Sequence, residues 1–153
     1  MSRSRTVVWA LGAGLTAALA VAGVAASQQG ASPVEQRQAV MKHVGQEMKE
    51  AAGLGSPATF DAAKVKAVMD GVAADAVKLK SLYPAGSGAD PKTAADPKIW
   101  QNRADFDKRL GELASLAGAA GKASTVDAYR PAFGAVGATC KSCHDIYRKK
   151  KTA

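Results

Sequence analysis

From Ser32 to Lys149, apolar side chains recur at three- and four-residue intervals in four successive stretches. In the first, Val34, Gln38, Met41, Val44 and Met48 fall on one helical face. Ser32 can cap this helix, Pro33 suits its first position, and Glu35 can close a capping box. Gly53-Leu54-Gly55-Ser56-Pro57 stops it. The second stretch runs from about Thr59 to Leu82, with Val65, Val68, Met69, Val72, Ala76 and Leu79 as its stripe, and ends at Tyr83-Pro84. Residues 84–96 carry turn signals and form the longest loop. The third opens at Asp96-Pro97, an N-cap followed by a first-turn proline, and carries Ile99, Arg103, Phe106, Leu110, Leu113 and Leu116 on its stripe. Gly118 and Gly121 end it. The fourth spans about Ser124 to Lys149, with Val126, Tyr129, Phe133, Val136, Cys140, Cys143 and Tyr147 on one face. Pro131 either kinks it or marks its true start a turn later. Four amphipathic segments of similar length, joined by two short links and one longer one, predict an all-α, antiparallel four-helix bundle.

Composition narrows the chemistry. At 153 residues the chain makes one domain, and 22% charged against 47% hydrophobic residues makes it core-forming. Val, Ile, Thr and aromatics are too sparse for an all-β fold. Two cysteines and two histidines exclude a multi-disulfide scaffold and any site built from several histidines of one chain.

Residues 1–26 read as a secretory signal peptide. Arg3 and Arg5 give a positive start, Val7 to Val24 carries no charge, and Val24-Ala25-Ala26 is a small-residue end. The rival reading is a retained membrane anchor. Cleavage near residue 26 leaves a domain of residues 27–153, takes the net charge from +8 to +6, and delivers the chain to an oxidising compartment, most simply a bacterial periplasm.

Cys140-Lys141-Ser142-Cys143-His144 is a C-x-x-C-H motif, the attachment signature of c-type haem. Residues three apart lie on one side of a helix, about 4.5 Å apart along its axis, so two thiols can add to the vinyl groups on one porphyrin edge. His144 follows directly and can reach the iron as its fifth ligand. The alternatives are a C-x-x-C redox disulfide, which usually follows a strand in an α/β domain, a zinc site, to which only His43 remains to be added, and a bare coincidence in a helix.

At these residues the chain resembles the class II cytochromes c, the cytochrome c′ family with its low-spin relatives. The motif stands only nine residues from the C-terminus. Further matches are Arg37-Gln38-Ala39-Val40-Met41, Tyr83-Pro84-Ala85-Gly86, Pro97-Lys98-Ile99-Trp100, and the continuation Asp145-Ile146-Tyr147-Arg148. The resemblance implies a bundle holding one haem c, with Cys140 and Cys143 as thioethers and His144 as proximal ligand. It places Arg37 by a haem propionate, where the plain alternative is a solvated helix arginine. Arg148 matches a basic residue one turn after the proximal histidine, against the alternative of a solvated tail. Gln38 is expected to line the pocket, and Trp100, Tyr129, Phe133 and Tyr147 to pack around the haem.

Met41 falls at the family's distal position. A bound thioether makes six-coordinate iron suited to electron transfer. A thioether that only packs there leaves five-coordinate iron open to nitric oxide or carbon monoxide. Both arrangements occur in the family, and a methionine at helical spacing is more often simple core filling. His43 lies about 200° around the helix from Met41 and is expected at the surface. The leading function is thus a periplasmic electron carrier, with a gas-binding haem protein as the alternative, and no enzyme. A haem-free exported helical binding module is the third reading. The positive charge and the Lys149–Lys151 tail suit an acidic redox partner or simple solubility. Homodimerisation follows from the resemblance, and nucleic-acid binding is not expected.

Overall fold

The computed structural model describes residues 30–150, and the expected export segment lies outside them. Among the described residues four long helices, α1 (Pro33–Gly53), α2 (Ala62–Leu79), α4 (Arg103–Ala120) and α5 (Val126–Tyr147), are joined by a short α3 (Lys98–Gln101) and a 3-10 turn at Lys80–Leu82. α2 packs against both α1 and α4, and α4 packs against α5. Among the described residues no helix is long and apolar enough to cross a membrane.

Helix starts follow the local chemistry. Ser32 Oγ accepts from the Glu35 amide at 3.3 Å, and Glu35 Oε2 accepts from the Ser32 amide at 2.8 Å, completing the capping box with Pro33 in the first turn. The same bonds hold the Glu35 carboxyl below the usual range. Asp61 Oδ1 accepts from the amides of Ala63 and Lys64 at 2.9 and 3.0 Å and starts α2. Thr125 caps α5, its hydroxyl oxygen accepting from the Ala128 amide. Pro131 lies inside α5, which begins at Val126, so the delayed start does not occur.

Every apolar position expected on the α2 stripe is buried. On α1 the buried residues are Val34, Arg37, Val40, Val44 and Ala51: Val34 and Val44 are as expected, while Arg37 and Val40 are buried in place of their neighbours Gln38 and Met41. Gln38 is exposed, and Met41 and Met48 are half-buried at the flank. The third predicted helix is two pieces, broken at Asn102 (φ −132°, ψ 54°). Tertiary anchors explain the break: Trp100 Nε1 donates to Pro84 O at 3.0 Å, and Arg103 donates to Tyr83 O at 2.9 Å and to Lys80 O. Both side chains fasten this segment to the preceding loop, which a continuous helix would pull them away from.

The loop over residues 84–96 is tied down at both ends. Gly86 takes φ +81° in a turn closed by the Ser87 amide on Pro84 O at 3.2 Å, a conformation that glycine adopts without strain. At its far end Asp96 N–H donates to Tyr147 O and Lys149 N–H to Ala94 O, both at 2.9 Å. These bonds strap the loop to the C-terminal turn of α5.

Candidate haem site

Two cavities adjoin where α1 meets the end of α5. One, of about 340 Å³, is lined by Arg37, Gln38 and Met41 from α1, by Cys143, His144 and Arg148, and by Ala94 and Ala95 of the strapped loop. The other, of about 240 Å³, has a mainly apolar wall that includes Met48, Leu79, Leu110, Leu113 and Cys140. Met41, Cys143 and His144 line both. The site residues named from sequence, scattered from position 37 to 148, therefore converge on one hollow.

Cys140 and Cys143 are free thiols, half-buried on α5. Burial pushes both thiol pKa values up, and the Arg109 charge partly offsets this at Cys143. No disulfide joins them. His43 lines neither cavity, so the zinc alternative loses its third ligand beside the cysteines. His144 opens to the cavity, and desolvation by surrounding atoms, with the Arg148 charge next, holds its imidazole below the ordinary histidine pKa. That favours the neutral ring, the form that binds metal.

Arg37 is buried, 3% exposed, not solvated. Its Nη1 donates to Leu82 O at 3.2 Å and Ser87 Oγ at 2.9 Å; its Nη2 donates to Ser87 O at 2.8 Å and to Thr93 Oγ1. The guanidinium stacks 4.9 Å from the Tyr83 ring centroid and 5.8 Å from that of Trp100. No carboxylate among the described residues hydrogen-bonds to it. Desolvation lowers its pKa, yet the cation stays charged. A buried cation held only by neutral acceptors, on the wall of a cavity, is suited to an anionic group entering from that side.

Sequence reasoning missed the holders of this wall. Ser87 and Thr93 gave no signal, because the loop brings them to Arg37 only in three dimensions. Asp105 Oδ2 accepts from Arg109 Nε at 2.7 Å and from Tyr147 O–H at 2.6 Å. The i,i+4 spacing of Asp105 and Arg109 was readable; their link to Tyr147 was not. Of the aromatics expected around the haem, Tyr147 lines the larger cavity, against Phe106 at 5.3 Å. Tyr129 and Phe133 do not line it. Tyr129 donates to Ala51 O at 2.8 Å and packs with Phe60 and Phe133 at the other end of the bundle. The eleven residues from Tyr129 to Cys140 put about 17 Å of helix between them. Trp100 packs against Tyr83 and over Gly88 instead.

The family model described as Cytochrome C′ matches residues 32–148. The chain belongs to this family. It is 40% identical over 121 residues to a cytochrome c′ of Rhodopseudomonas palustris, covering 78% of this chain and 83% of that one. It is 34% identical over 124 residues to a cytochrome c-556 of Agrobacterium fabrum, covering 79% and 84%. A solved cytochrome c′ from Rhodopseudomonas palustris superposes with a TM-score of 0.73 at 36% identity, covering 80% of this chain and all of that one. The fold is the family's four-helix bundle, and the cofactor is haem c, one per chain. The free thiol pair, the neutral imidazole and the uncompensated Arg37 fit that group.

Proposed function

We propose that the protein is a periplasmic electron carrier, not an enzyme, with Cys140 and Cys143 as the thioether sulfurs and His144 and Met41 as the axial ligands. The observation that carries this reading is that Met41 lines both cavities together with Cys143 and His144. α1 thus supplies a thioether to the hollow into which α5 supplies an imidazole. When bound, the haem iron supplies reversible one-electron chemistry, and a methionine ligand raises its reduction potential. Arg37 offers the positive charge for a propionate, while Gln38 and Arg148 stand at the rim. Gln38 Nε2 donates to Lys92 O at 2.8 Å, bracing the loop that covers the site. Exposed Lys149 and Lys150 beside the rim suit an acidic redox partner. Homodimer assembly and cleavage of the export segment near residue 26 belong to the same reading.

A second reading has its own support. Met41 is only half-buried, with cavity space on both sides, so a thioether that stands off would leave room for a diatomic gas. Optical and EPR spectra of the ferric and ferrous holoprotein separate the two. Methionine ligation gives a low-spin spectrum that becomes high-spin in Met41→Ala. A wild-type spectrum already high-spin and shifted by nitric oxide or carbon monoxide overturns the first reading in favour of the second.

A further inference from the structure

On the far side of α1 from Met41, three potential metal ligands meet outside the haem hollow. His43 Nδ1 lies 2.8 Å from Asp75 Oδ2 and 3.7 Å from Glu47 Oε2. One ligand atom from each of the three lies within 4.8 Å of the others. Ligand atoms around a tetrahedral ion at about 2.0–2.1 Å stand roughly 3.3 Å apart, so the two His43 distances bracket that spacing. His43 and Glu47 share a face at i,i+4 on α1, and Asp75 comes from α2.

Glu47 is the member that asks for a ligand. Its side chain is 12% exposed, and Oε2 is fully buried with no hydrogen-bond partner among the described residues. A buried carboxylate oxygen left unpaired is costly. Burial accordingly raises the Glu47 pKa. The fold nonetheless makes room for it: a Cβ at Gly71 would stand 1.9 Å from Glu47 Oε1, so any larger residue there would make the carboxylate shift. His43, 59% exposed, leaves the mouth of the cluster open to an ion and its remaining water.

We propose that His43, Glu47 and Asp75 bind a divalent transition ion of the zinc class, bridging α1 and α2. One imidazole nitrogen with two carboxylate oxygens and an open position suits such an ion, whereas calcium and magnesium prefer all-oxygen shells. The ion would neutralise the orphaned Glu47 oxygen and cross-link the helix that carries Met41 to its neighbour.

The test is calorimetric titration of the haem-loaded protein with zinc chloride. The chain has two histidines, and in the holoprotein His144 is engaged, which leaves His43 as the free imidazole. One zinc per chain is expected, with a rise in thermal midpoint. Losing even an outer-shell partner typically weakens a metal site by roughly 10–100-fold, so His43→Ala and Asp75→Asn should weaken binding by at least that. Gly71→Ala should weaken it as well, by displacing Glu47, while leaving the visible spectrum unchanged as evidence of an intact fold. Absence of zinc binding, or binding that survives His43→Ala undiminished, overturns the proposal. Neither result bears on the haem reading, which is judged from the spectra alone.

Discussion

Arg37 shows how a single residue's role depends on a segment far away in sequence. In a helix pattern its position alone allows a solvated surface arginine or a buried anion-binding one. The decision comes from Ser87 and Thr93, at the two ends of a loop whose course depends on Gly86 and on the strap to α5. Truncating the side chain strands the acceptors it serves and opens a gap beneath Tyr83. Arg37→Ala is therefore expected to lower the stability of the holoprotein by roughly 3 kcal/mol, the scale of losing a charged, buried donor set. Arg37→Lys should recover only part of this, since an ammonium cannot span the Ser87 and Thr93 acceptors from one planar fork. Denaturant unfolding of the three proteins measures it, and an Arg37→Ala variant as stable as wild type refutes the role.

At the scale of elements, the buried stripe of α2 was legible in full, because a helix packed on both sides shows it in its apolar periodicity, while its ends at Ala62 and Leu79 lie about three residues inside the expected span. α1 was legible only in part: Val34 and Val44 are buried as expected, whereas Gln38, Met41 and Met48 are not. Its buried face contains Arg37, which a hydrophobic pattern cannot count, while Met41 and Met48 belong to the cavity flank. The break at Asn102 was not legible at all, since its causes are bonds from Trp100 and Arg103 to another segment. The joint between α4 and α5 makes a pH-dependent prediction. The Tyr147 hydroxyl, then Arg109, hold the Asp105 pKa below the ordinary aspartate value. A carboxyl so lowered stabilises the fold above its unfolded pKa, and that contribution disappears as pH falls through the folded value. Desolvation, then Asp105, pushes Tyr147 up to about 12, so its own contribution is full below about 10 and is lost as pH climbs toward 12. Tyr147→Phe should accordingly melt earlier than wild type at neutral pH, and the difference should shrink at both acid and alkaline extremes. A gap between the two melting curves that stays constant with pH would contradict the assignment.

For the whole molecule the question is how much of the bundle's stability resides in the group that fills it. The motif at Cys140–His144 was plain in the sequence because covalent attachment needs a fixed local spacing. The hollow was not, because its walls come from α1, α4, α5 and the loop together. The larger hollow, of about 340 Å³, is space that no described side chain fills, and atoms lining an unfilled space lose their dispersion contacts. The packing of α1 against α5 therefore depends on the group that occupies it. A chain unable to attach haem, Cys140→Ser with Cys143→Ser, should therefore keep its capped helices but lose their fixed packing. Far-ultraviolet circular dichroism should stay helical while the near-ultraviolet signal fades, a hydrophobic dye binds, and thermal unfolding broadens. A haem-free variant that melts as cooperatively and at the same temperature as the holoprotein would mean that the helices pack on one another without help, and that the hollow is a pocket in a self-sufficient bundle.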